Sequence, residues 1–212
     1  MKNTAKITLA AILVIGAFSI SILTVPAFAE WDKFNYPEIQ GTIPISSGDD
    51  FSQKNTIALS AAMAVGAVQR RLVEKSLRCD ANVVVETASA RDPHHFAVLI
   101  GLGATAVYPF LAYETIEQLC EKGELDITPM QATLNYRKGI NKGLYKIMSK
   151  MGISIISSYR GGYNFESIGL SRSLVAEFFP GMPSRISGIG LQGIQRRTIA
   201  QHKEAFNGNV VT

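Results

Sequence analysis

The spacing of hydrophobic and polar positions predicts helices over most of the chain after residue 55. In residues 56–77 apolar side chains return every three or four positions, which indicates an amphipathic helix with Asn55 as its cap. A longer helix is predicted over residues 128–151, because Thr128-Pro129 is typical of a helix start and Gly152 of a helix end. The same pattern predicts shorter helices over residues 113–122, 171–179 and 189–206.

Short β-branched runs between these helices predict buried strands. They are residues 82–87 (NVVVET) and 153–157 (ISIIS). The apolar segment 96–112 is broken by Gly101, Gly103 and Pro109, which favours helix pieces over strands there. Helices that alternate with short buried strands predict a helix-rich α/β fold with short parallel strands. We expect it to form a single incomplete domain over residues 56–212.

The amino-terminal residues 1–29 have the layout of a secretory signal peptide. Lys2 and Lys6 precede an apolar run, and Ala27-Phe28-Ala29 supplies a pattern typical of a cleavage site. An uncleaved membrane anchor is the alternative, because the run approaches the length that spans a bilayer. Residues 30–55 are rich in Pro, Gly and Ser and predict a linker.

Composition limits the classes of function. The 212 residues, 47% of them hydrophobic, are enough for one domain with a core. The 21 basic and 17 acidic residues give a net charge of +4, without the clustered positive charge of a nucleic-acid-binding protein. The two cysteines, Cys79 and Cys120, form no CxxC pair, which excludes a cysteine-ligated zinc or iron–sulfur site. One disulfide between them stays open.

Two glycine-rich segments suggest phosphate binding. Residues 101–106 (GLGATA) match the dinucleotide pattern G-x-G-x-x-A, but Pro109 interrupts the helix that should follow and no strand-end acid stands about twenty residues on. Close helix packing is the favoured explanation. Arg160-Gly161-Gly162 would present backbone amides to a phosphate, or form an ordinary strand exit.

Histidines offer little evidence of a metal site. His94 and His95 are adjacent, so their side chains point in different directions on a helix and do not chelate one ion. A helix-start role is expected for them, with one imidazole hydrogen-bonded to the backbone. His202 is expected at the surface of the last helix.

Longer motifs resemble a known family. The segments KIMSKMGISIISSYRGGYNFESIGLS, FFPGMPSRISGIGL and VVVETASARDPHHFAVLIGLGATAVYPFLAYETI are similar to the glutamate synthase large chain, over about residues 58–207. Two departures are Gly161-Gly162-Tyr163, where the family usually has Gly-Ala-Gln, and Gln69-Arg70-Arg71, where it has a histidine-rich helix end.

The resemblance implies a fragment of a larger oxidoreductase of ammonia assimilation and glutamate biosynthesis. The family's large chain joins a glutaminase domain, a central connector, a flavin-binding (β/α)8 barrel with an iron–sulfur cluster, and a β-helix. The full enzyme makes two L-glutamates from L-glutamine and 2-oxoglutarate. These segments are similar to the latter part of the connector, so the chain is expected to be inactive alone and to contain no catalytic, cofactor-binding or metal-binding residue.

Cofactors, partners and location follow from the same resemblance. FMN and an iron–sulfur cluster are implied for the full enzyme. The implied partners are the glutaminase domain, the flavin barrel and an electron donor, either ferredoxin or an NAD(P)H-linked small subunit, with no nucleic acid. The cytoplasm is the expected location.

Two other functions are weighed against this one. The signal-like residues 1–29 suggest an exported, non-catalytic binding protein that reuses the α/β domain. Residues 101–106 suggest a small dinucleotide-binding enzyme.

Overall fold

The computed structural model describes residues 42–46 and 59–206. The signal-like residues 1–29 lie outside the described residues, as does the predicted cap Asn55. In chain order the elements are β1 (Thr42–Ser46), α1 (Ala61–Glu74), β2 (Asn82–Glu86), α2 (Pro93–Gly101), β3 (Ala106–Tyr108), α3 (Phe110–Glu121), α4 (Pro129–Lys150), α5 (Ile156–Tyr159), β4 (Ile168–Leu170), α6 (Arg172–Phe178), β5 (Ile186–Ile189) and α7 (Leu191–Phe206).

A three-stranded parallel sheet organises the first half of the described chain. Its order is β1-β2-β3, with Thr42 opposite Asn82 and Glu86 opposite Tyr108. Val83 and Val85 on one face of the middle strand and Val84 on the other are all buried, as expected where a parallel strand is covered on both faces. The helices α1 and α2 connect successive strands. The predicted strand at 82–87 and the helix-rich α/β class with short parallel strands are therefore confirmed.

Strand β1 lies inside the segment whose composition predicted a linker, residues 30–55. It pairs with β2 on one side and is an edge strand among the described residues, which is where a strand tolerates a proline such as Pro44. Composition does not reveal such a strand, because its pairing partner lies forty residues further along the chain.

The predicted strand at residues 153–157 is wrong. The amide of Ile153 donates to the carbonyl of Met148 at 3.0 Å and so completes the end of α4. Residues Ile156–Tyr159 then form the helical turn α5, and the side chain of Ile155 is 58% exposed. A β-branched run becomes a strand only beside another strand, and none of the described strands reaches it.

Besides β1, three shorter strands were not predicted. Residues 96–112, predicted as helix pieces, contain β3 between α2 and α3. The strands β4 and β5 form a separate two-stranded parallel sheet, with Ile168 opposite Ile186. Each has three or four residues, too few for a period to show in the sequence.

Most predicted helices are confirmed, with shifted ends. Thr128 caps α4, its hydroxyl accepting from the Gln131 amide at 3.3 Å, and Gly152 follows the helix at φ +70°. Helix α1 begins after Ser60 rather than near Asn55, and ends at Glu74. The Thr128-Pro129 and Gly152 signals therefore located the ends of α4, whereas the single capping residue Asn55 did not locate the start of α1.

The core forms where helices pack on the sheet and on one another. One cluster joins α1, β2, α2 and α6 through residues such as Val65, Leu99 and Val175. A second joins α2 to α4 and α5 through Ile100, Met148 and Tyr159. In the part of the chain that the structure describes, none of the helices has the length and apolar character needed to cross a bilayer.

Candidate functional site

The structure brings the two glycine-rich segments together, although sixty residues separate them in sequence. The amide of Gly161 donates to the carbonyl of Ile100 at 3.1 Å, and the amide of Tyr163 donates to Gly101 at 3.4 Å. The amide of Gly162 donates to Tyr159 at 3.1 Å. These amides therefore satisfy carbonyls at the end of α2 and of α5, and are not presented to a phosphate.

The GLGATA segment joins its secondary-structure elements in the wrong order for a dinucleotide site. It ends helix α2 and leads into strand β3, whereas a pyrophosphate-binding turn leads from a strand into a helix amino end. Gly101 is required for packing, because a Cβ there would overlap the ring of Phe165. Gly103 has a φ of +122° and closes the turn. The favoured explanation, close packing, accounts for both glycines.

Arg78 is hydrogen-bonded to the turn at Gly103. Its guanidinium donates to the Gln69 side chain, to Ala81 O at 2.7 Å and to Gly103 O at 2.8 Å. Burial lowers the pKa of Arg78, and the positive charge of Arg160 lowers it further. Gln69, a departure from the family pattern, supplies the carbonyl oxygen that accepts from the Nε of Arg78. We call this set of contacts, from Gln69, Arg78, residues 100–103 and residues 159–163, the glycine junction.

The histidine pair begins helix α2, as predicted. Asp92 is the cap, and its carboxylate accepts from the amides of His94 at 2.8 Å and His95 at 3.2 Å. Burial opposes ionisation of Asp92, but those two hydrogen bonds and the imidazole charges outweigh it and hold its pKa below the ordinary value. The amide of Arg91 donates to Nδ1 of His95 at 3.2 Å, which is the predicted imidazole–backbone bond.

Other candidate groups do not assemble into a site. Cys79 and Cys120 are both free, so the disulfide that the sequence left open is not formed. Within residues 59–206, no three of the His, Cys, Asp and Glu side chains are grouped so that they could hold a metal ion. His202 is half-buried on α7, with its ring edge on Phe206 at a centroid distance of 4.6 Å.

Sequence reasoning missed a row of aromatic rings beside the carboxyl end of the sheet. Tyr108, at the end of β3, lies 5.6 Å from the ring of Tyr113, which lies 5.9 Å from that of Tyr136. Burial raises the pKa of all three phenols. The Tyr136 hydroxyl donates to Arg91 O at 2.9 Å, so the row fixes α3 and α4 against the start of α2.

Sequence reasoning also missed how charge is distributed on α4. A count of charge for each predicted helix would have shown that lysines recur there at every fourth position. They are Lys138, Lys142, Lys146 and Lys150.

Comparison with known proteins identifies one family. Residues 41–171 match the family model described as the glutamate synthase central domain. The chain is 54% identical over 155 residues to the NADPH glutamate synthase large chain of Azospirillum brasilense, covering 73% of this chain and 10% of the relative. It is 40% identical over 167 residues to the Bacillus subtilis large chain, covering 79% and 11%.

The chain is also similar to glutamate synthases whose names give a different electron donor. The NADH glutamate synthase of Saccharomyces cerevisiae is 34% identical over 160 residues, covering 72% of this chain and 8% of the relative. The chain thus spans about a tenth of the length of the curated relatives it matches.

Proposed function

The chain belongs to the glutamate synthase central-domain family, and from this membership we propose that it acts as the latter part of the connector in a glutamate synthase large chain. The observation that carries the proposal is the match of residues 41–171 to the glutamate synthase central domain. The glycine junction agrees with a structural role, because its amides at Gly161, Gly162 and Tyr163 bond to carbonyls within the chain. A segment whose two glycine-rich turns are fully used by packing is suited to hold neighbouring domains at a fixed separation.

The proposed activity belongs to the assembled enzyme, in which L-glutamine and 2-oxoglutarate give two L-glutamates. The partners would be a glutaminase domain, which releases ammonia, and a flavin barrel, which aminates and reduces 2-oxoglutarate. An electron donor is required as well, either ferredoxin or an NAD(P)H-linked small subunit. The relatives are named as NADPH, NADH and ferredoxin-dependent enzymes, so their names do not indicate which donor would serve this chain.

FMN and an iron–sulfur cluster are implied for the full enzyme, but the residues of this chain do not fit either group. Two cysteines cannot supply the thiolates of a cluster, and the amides of Gly161, Gly162 and Tyr163 bond to carbonyls rather than being presented to a flavin phosphate. The chain's own contribution is therefore to position domains, and no chemical step is assigned to it.

A chimeric enzyme tests this proposal. Residues 41–171 of this chain replace the matching segment of the Azospirillum brasilense large chain, and glutamate formation is measured with glutamine as the nitrogen donor. We expect at least about a tenth of the parent rate, a loss of no more than about 1.4 kcal/mol in activation free energy.

The matched control carries the corresponding Bacillus subtilis segment at the same boundaries. If that control is active while the chimera with this chain contains flavin but makes no glutamate from glutamine, the connector function is wrong for this chain. The isolated chain, assayed in parallel, is expected to make none.

A further inference from the structure

The α3–α4 hairpin carries its charge in two separate groups. From residue 110 to residue 127 there are five acids and one lysine, and all five acids are exposed: Glu114, Glu117, Glu121, Glu124 and Asp126. Helix α4 has no acid and five basic residues, of which Lys138, Lys142, Lys146 and Lys150 are exposed. Lysines four residues apart repel one another on a helix, so this stripe destabilises an isolated α4.

The exposed charges of these two groups are not used in ion pairs within the part of the chain that the structure describes. Among residues 59–206, the ion pairs involve the end of α1, the start of α2 and Glu166 with Arg185, and none of them includes the five carboxylates or the four exposed lysines of α4. The exposed carboxylates and the lysine stripe are therefore both available to an outside partner.

The two groups lie mostly beside different halves of α4. Ring contact between Tyr113 and Tyr136 places α3 beside the first half of α4. The second half lies against α2, where Gly143 touches the ring of Pro93 and Met148 packs in the cluster with Ile100. The acidic end, which comprises the five carboxylates of residues 114–126, therefore lies beside the first half of α4. Lys142, Lys146 and Lys150 lie in the second half, and Lys138 lies near the middle.

Each half of α4 also exposes a large apolar side chain to a greater extent than its apolar neighbours. Met130 is 76% exposed and Tyr145 is 69% exposed. They are fifteen positions apart on α4, which is about 22 Å along a helix axis. A two-fold axis opposite residues 137–138 would place Met130 of one copy against Tyr145 of the other.

We propose that the α3–α4 hairpin is a self-association surface, on which two copies of this chain pack with their α4 helices antiparallel. In that arrangement the acidic end of each copy faces Lys142, Lys146 and Lys150 of the other, while Lys138 lies close to the axis. A two-fold interface must be complementary to itself, and a face with one negative and one positive end meets that requirement. A purely acidic partner, a nucleic acid or an anionic membrane would leave the carboxylates opposed by negative charge.

Sedimentation velocity of the full chain tests this surface. We expect a concentration-dependent dimer whose Kd rises about tenfold between about 50 mM and 500 mM salt, because salt screens exposed charge pairs. The variant Lys142→Glu/Lys146→Glu is expected to raise the Kd by about tenfold or more, and Glu117→Lys/Glu121→Lys to do the same. Combining all four substitutions exchanges the two signs and should restore the Kd to within about threefold.

The control is Lys75→Glu/Lys203→Glu, which changes the net charge equally at exposed lysines outside the hairpin. It should leave the Kd unchanged. A chain that is monomeric at every concentration would overturn the proposal, and so would self-association that all three hairpin variants leave unaltered.

Carbodiimide cross-linking of an equal mixture of light and isotopically heavy chain gives a second measurement. Carboxyl–lysine links between the acidic end and the lysine stripe should join light to heavy peptides. Links found only within one isotope label would place the contact inside a single copy and refute the proposal. The chimera experiment is unaffected by either result, so the two proposals fail separately.

Discussion

Gly139 and Gly143 lie one turn apart on α4 but have different surroundings. A Cβ at Gly139 would have no heavy atom within 4 Å, whereas one at Gly143 would overlap the ring of Pro93 at the start of α2. The sequence shows two identical residues in one helical pattern. Gly143 is required only because α2 packs on α4 at this position. Since glycine has no side chain, the two helices can approach each other there.

Alanine substitutions at these two positions are predicted to have opposite effects. Gly139→Ala should stabilise the protein by about 0.5–1 kcal/mol, because alanine has the higher helix propensity. Gly143→Ala should destabilise it by about 1–3 kcal/mol, because the added methyl group forces α2 and α4 apart. Urea unfolding followed by circular dichroism measures both, and equal effects of the same sign would contradict the packing role of Gly143.

Helix α4 shows how far local sequence defines an element. Its first turn is fixed by Thr128 and Pro129 and its end by Gly152, all of which act within a few residues of the helix. The run ISIIS that follows has strand composition but forms the end of α4 and the turn α5. Helix caps are local, while a strand depends on a neighbour elsewhere in the chain.

Removal of the side-chain hydroxyl at the start of α4 should therefore cost more stability than removal of the one at the start of α1. Thr128→Ala removes the bond to the Gln131 amide and is expected to destabilise by about 1 kcal/mol. Ser60→Ala is the matched control, because Ser60 precedes α1 without a side-chain capping bond, and it should change stability by less than about 0.5 kcal/mol. Thermal unfolding of both variants checks this; a larger loss for Ser60→Ala would be inconsistent with the structure.

At the scale of the whole molecule, the described part of the chain has two distinct regions. The glycine junction is closed by contacts within the chain, whereas the α3–α4 hairpin exposes charge and apolar side chains that the chain does not use. We propose that it functions in the cytoplasm with the remaining domains of glutamate synthase. The signal-like residues 1–29 lie outside the described residues, so their processing is a separate prediction.

Retention of residues 1–29 is the expected outcome if the chain works in the cytoplasm. Cell fractionation and intact-mass measurement of the expressed full chain check this. An exported product that begins at Glu30 would contradict the cytoplasmic proposal and favour the exported binding protein. An Ala29→Asp variant is the control, since it should abolish genuine signal-peptide cleavage and leave nonspecific proteolysis unchanged.

The sequence by itself determined the helices, the central strand and the family. Helix caps, helical spacing and the run NVVVET predict structure from residues that are neighbours in sequence. The long family motifs are recognised from the order of residues alone, without any knowledge of the fold. Tertiary structure alone decided the three-residue strand β3, the meeting of the two glycine-rich segments and the role of Arg78. Each of these depends on atoms that are distant in sequence, and local patterns carry no information about which distant groups will meet.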